Sequence, residues 1–181
     1  MVDNAPSVLV PWANFYVMMG SSAAALTGLM FVVITLVTGS GKPASRDGIS
    51  TFSTPTVVHF CGALLGAAIL SVPWHSLVPP AIILGLAGIV GLLYVLQVVI
   101  KTRRLDSYTP DLEDWAWYAV VPFVAYGAIV AGALLLPRVS ADAPFALAAG
   151  VALLVFVGIR NAWDVVTYIT IKDDDEPPSS K

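Results

Sequence analysis

The residues best equipped for chemistry in this chain are Arg160, Asn161 and Asp164, which stand together in a largely aliphatic stretch, and His59, which stands alone in another. On a helix, with about 100° between successive residues, Asp164 falls roughly 40° from Arg160 and Thr167 falls close on the other side of it. These three share a face with Asn161 at its edge, and Trp163 points away. Arg160 and Asp164 are spaced i, i+4, which lets a guanidinium reach a carboxylate on its own helix. Such a pair can do two kinds of work. It can neutralise itself and pin its helix against a bundle, or it can line a polar cavity that takes an ion, a proton or a polar solute. Arg160 and Asn161 together with a protonated His59 would also suit an anion.

The elements that must carry these groups follow from composition. Of the 181 residues, 57% are hydrophobic and only 12% are charged, and the mean hydropathy is +0.83. A soluble domain carries about a quarter charged residues, so this composition implies an all-α integral membrane protein. A net charge of -3 supplies no basic field, which sets nucleic-acid binding aside. The single cysteine, Cys61, excludes a disulfide framework or a cysteine-based metal site within one chain.

Runs of about 20 apolar residues bounded by charge, proline or glycine predict five spans, near residues 12–38, 51–74, 79–100, 115–136 and 144–171. Pro55 is expected in the first turn of the second span, and Pro73 in its last. Residues 1–171 would form one transmembrane helical domain, and the acidic, proline-containing segment 172–181 a disordered tail. The first span reads as an anchor and not a cleavable leader, since no Lys or Arg precedes it and its apolar run is too long. Trp12, Phe15, Tyr16, Trp74, Trp115, Trp117 and Tyr118 fall at span ends, as interfacial aromatic belts would. Arg138 is the only Lys or Arg in the connections of one side, whereas Lys42, Arg46, Lys101, Arg103, Arg104, Lys172 and Lys181 gather on the other. The positive-inside rule then places the N-terminus outside and the C-terminus in the cytoplasm of a multi-pass cell-membrane protein, the inner membrane in a Gram-negative bacterium.

In that orientation His59 and Asp164 both lie about 10 to 12 Å above the cytoplasmic face, with Arg160 one turn deeper. Tyr94 and Gln97 approach from the third span and Tyr118 from the fourth. The expected site is a polar cluster in the cytoplasmic half that binds an ion or solute through Arg160, Asp164, Asn161, His59, Gln97 and Tyr94. The outer half offers only Asn14, Ser21, Ser22, Thr27 and Tyr126, so a cytoplasmic vestibule is easier to build than a through-pore.

Helices in lipid associate through close backbone approach, and small residues mark where that can occur. Gly20, Ala24 and Gly28 form one such stripe, Gly62 and Gly66 a second that shares its face with His59, Gly85, Gly88 and Gly91 a third, and Gly127 with Ala131 and Ala128 with Gly132 a fourth. They serve packing within the bundle, a homo-oligomer or a membrane-protein partner. Catalytic and phosphate-binding motifs are missing, there is no Glu or His cluster for a metal, and no cofactor is expected. Haem ligation within the chain is excluded, because His59 and His75 would stand about 24 Å apart along one helix. Three functions fit: a transport or channel protomer, a non-catalytic modulator of another membrane complex, and a lipid-modifying enzyme built from His59, Arg160 and Asp164.

Overall fold

The computed structural model describes residues 8–39, 46–103 and 115–174. Among these there is no strand, and five helices are long and apolar enough to cross a membrane. They are α1 (Ala13–Gly39), α2 (Arg46–Ser71), α3 (Val78–Arg103), α4 (Val121–Leu135) and α5 (Asp142–Asp174). A 3-10 turn, Val10–Trp12, leads into α1, and α4 is extended by a π turn at Ala116–Val120 and a 3-10 turn at Leu136–Arg138. The acidic tail expected from residue 172 lies, beyond Asp174, outside the described residues.

Prolines set the local shape at several helix ends. Pro122 cannot donate to the turn before it, and the chain there widens so that the Val121 N–H reaches back to the Ala116 carbonyl, a π-type bond. Pro73 cannot donate to the Ile69 carbonyl, its partner four residues back, and α2 stops at Ser71. The Trp74 indole takes over that role, with Nε1 donating to the Ile69 carbonyl at 2.7 Å. Pro55 departs from expectation. The helix begins at Arg46, so Pro55 lies inside α2 and not in its first turn. The polar residues before the apolar run continue the helix, and the one backbone bond that Pro55 forfeits does not end it.

The glycine contacts run antiparallel between α3 and α4, between α4 and α5 and between α5 and α2, and α2, α3, α4 and α5 form a ring. In this ring α3 packs along α4, α4 along α5 and α5 along α2, while α2 and α3 meet only sparsely. The helix α1 lies outside, against α2 and, to a lesser extent, α5. Glycines set the closest approaches. A Cβ added at Gly132 would stand 2.6 Å from Leu147, and one at Gly150 would stand 2.6 Å from Ile129, which fixes the register of α4 on α5. Gly158 receives the ring of Phe60 and Gly66 the side chain of Val151, which fixes α2 on α5.

Among the described side chains of α1, those of residues 13–35, Tyr16, Gly20, Ala23 and Met30 are buried, whereas Ala24 and Gly28 are exposed. A row spaced by four residues is inclined to the helix axis, so the 20/24/28 stripe winds away from the partner. Only Gly20 of that stripe meets α2, where an added Cβ would lie 3.2 Å from Ala67. Tyr16 departs from a belt position too: it is fully buried and its hydroxyl donates to the Pro144 carbonyl at 3.3 Å, tying α1 to the start of α5.

Candidate functional site

The polar interior is built around Tyr126. Its hydroxyl lies 3.2 Å from Nδ1 of His59, with the donor set by the imidazole tautomer. Both residues are buried, at 4% and 2% exposure. Tyr126 fits because two neighbours lack side chains. A Cβ at Gly91 on α3 would stand 2.2 Å from the tyrosine ring, and one at Gly62 on α2 would stand 3.1 Å from its hydroxyl. Tyr94 completes the group from α3, edge-on to the imidazole with ring centroids 6.4 Å apart. Helices α2, α3 and α4 thus each contribute one polar aromatic or imidazole group to one point, where α2 and α3 stand apart and large side chains fill the gap.

Two further polar residues are fully buried: Thr56 on α2 and Asn161 on α5. The antiparallel register of these helices pairs Gly66 with Val151, Gly62 with Leu154 and Phe60 with Gly158. Continued for one more turn, it sets Asn161 level with Thr56, and His59 about one turn further into the bundle. The Asn161 amide is distinctive: neither its oxygen nor its nitrogen has a hydrogen-bond partner among the described residues.

Arg160 and Asp164 form an ion pair along α5, and each side chain is about 30% exposed. They therefore flank the buried stripe of α5 and are not enclosed by it. Thr167 bonds to its own helix, its hydroxyl donating to the Trp163 carbonyl at 2.9 Å. Gln97 is exposed on α3, and Trp163 is exposed at 67%. The structure thus gathers His59 and Tyr94 with Tyr126, sets Asn161 level with Thr56, and leaves Arg160, Asp164 and Gln97 at the margin.

The sequence reading places Tyr126 in the outer half, away from the expected site, and does not name Thr56. The signal for Tyr126 was available in the direction of its side chain. Cα–Cβ bonds tilt toward a helix N-terminus, and the N-terminus of α4 lies at the end of the bundle where α5 finishes. The phenol therefore hangs back from its Cα toward the level of His59, and counting residues along the span places it too far away. No protein-family model matches the chain, and no curated protein or solved structure does either, so what the site does must be argued from its own geometry.

Proposed function

We propose that this chain is a multi-pass membrane protein that acts as a transport or channel protomer, with a polar site in the cytoplasmic half of its bundle and with its N-terminus outside. One observation carries this reading: His59, Tyr94 and Tyr126 reach one point from three different helices inside a largely apolar bundle. Polar side chains within a span are expensive, and their convergence from separate helices is what a site for an ion or polar solute requires. The ion pair of Arg160 and Asp164, partly exposed toward the cytoplasmic end in this orientation, suits an approach to that site. Above the site, packing by Gly66, Leu70, Leu147 and Val151 is apolar, which favours a blind vestibule over a through-pore in one protomer.

The test is flux into liposomes that contain the purified protein, with protons, potassium, chloride and glycerol as separate probes. At least one probe should enter faster than into protein-free vesicles, and the rate should fall in His59→Leu and Tyr126→Phe variants that keep their helical content. If every probe behaves as in protein-free vesicles, or if both variants match the wild type, the reading is wrong. A second reading, that of a modulatory membrane partner, is favoured by a different observation. Ala24 and Ala131 are exposed, and Cβ atoms added at Gly28 and Gly127 would meet nothing within 4 Å, so these small residues have no role in the bundle's own packing.

A further inference from the structure

Asn161 is a polar side chain with no exposure at all and no protein partner for either end of its amide among the described residues. In water that amide would make several hydrogen bonds, and enclosing it bare forfeits all of them. Its place in the fold is specific. The register of α5 on α2 sets it level with Thr56, and that of α5 on α4 sets it level with the π turn at Ala116–Val120. Pro122 cannot donate a hydrogen bond back into that turn, and π turns commonly mark functional positions. The Cα–Cβ bond of Asn161 tilts toward the start of α5, which is the direction of His59.

We propose that Asn161 anchors a bound neutral molecule that both donates and accepts hydrogen bonds, either water or the hydroxyl or amide group of a small solute, at the junction of α2, the π turn and α5. The inference rests on the reading of a polar intramembrane site and names the ligand chemistry of its cytoplasmic end. The amide itself selects that chemistry. A cation would satisfy only the oxygen and an anion only the nitrogen, whereas a molecule with both a donor and an acceptor satisfies the two together. The nearest charges on α5, Arg160 and Asp164, are paired with each other and add no net charge. Occupied in this way, Asn161 extends the interior polar groups by a turn, from Tyr126 and His59 to the level of Thr56, and a bridging molecule there is nearly as favourable as a direct bond.

The experiment uses the full chain in bilayers with its asparagines labelled with nitrogen-15. The chain has only Asn4, Asn14 and Asn161, so Asn4→Ser and Asn14→Ser together leave Asn161 as the single labelled side chain without altering the site. Magnetisation transfer from water protons to the Asn161 amide protons is measured in buffer and again with glycerol added. A water cross-peak that persists in glycerol identifies water as the occupant. A glycerol cross-peak that replaces it identifies a solute hydroxyl. Transfer from neither, with the amide signal itself present, means a dry amide and overturns the proposal. Because no flux is measured, this result is independent of the transport test: an occupied Asn161 in a protein that moves none of the probes would refute transport and leave the binding site standing.

Discussion

A single methyl group would separate Tyr126 from His59. In Gly91→Ala the new Cβ would stand 2.2 Å from the Tyr126 ring, on a helix packed so closely against α4 that a Cβ added at Gly88 would stand 2.7 Å from Val130. Overpacking of this kind costs about 1 to 3 kcal/mol, and displacing the phenol adds about 0.5 to 1.5 kcal/mol for the hydrogen bond to His59. Gly91→Ala should therefore lower the thermal midpoint in detergent by several degrees. Gly127→Ala, where an added Cβ meets nothing within 4 Å, should leave the midpoint unchanged or raise it, with up to about 1 kcal/mol of added stability from the lower backbone entropy of alanine in a helix. If the two variants unfold alike, the glycine notch does not position the tyrosine. At this scale the sequence was informative about which groups are costly in a membrane, since cost depends on residue type alone. It was uninformative about which of them meet, because a contact between spans depends on register, rotation and side-chain lean together. His59 was correctly suspected of facing a neighbour, but the partner revealed by the structure is Tyr126, which residue counting had assigned to the other half of the membrane.

At the level of the element, the end of α2 shows how a side chain repairs what a proline removes. Pro73 removes the usual donor to the Ile69 carbonyl, which accepts instead from the Val72 N–H at 3.3 Å and, more closely, from the Trp74 indole at 2.7 Å. Trp74→Phe keeps the aromatic bulk and deletes only that donor, so it should cost about 0.5 to 1.5 kcal/mol in detergent unfolding. A loss no larger than that of an exposed control such as Val72→Ala would show that the bond contributes nothing. The five helices themselves were legible because hydrocarbon forces an uninterrupted apolar run of a fixed minimum length. Their ends were less so. Arg46 starts α2 in a stretch whose residues are too polar to signal a span, and Pro55 reads equally well as a first-turn residue and as an interior one. The small-residue stripes were visible as patterns, yet Gly85, Gly88 and Gly91 all face α4 whereas Ala24 and Gly28 face outward. Spacing alone does not say which row a partner helix will follow.

For the whole molecule, the remaining prediction concerns orientation. The connections at one end of the bundle carry nearly all the Lys and Arg outside the spans, and the other end has only Arg138. A reporter active only in the cytoplasm should work when fused after Lys181 and fail when inserted at Ser140, in the turn between α4 and α5, while an externally active reporter should do the reverse. The opposite pattern would invert the molecule and put the Asn161 end of the bundle outside. The order of the helices around the ring also has a consequence for biosynthesis. One interface of the ring joins α2 to α5, an early segment to the last one made, with Phe60 seated on Gly158. Until α5 has been synthesised, Phe60 has no seat and the ring cannot close. The nascent chain must therefore hold Thr56 and His59 in an unfinished bundle while three more helices are made.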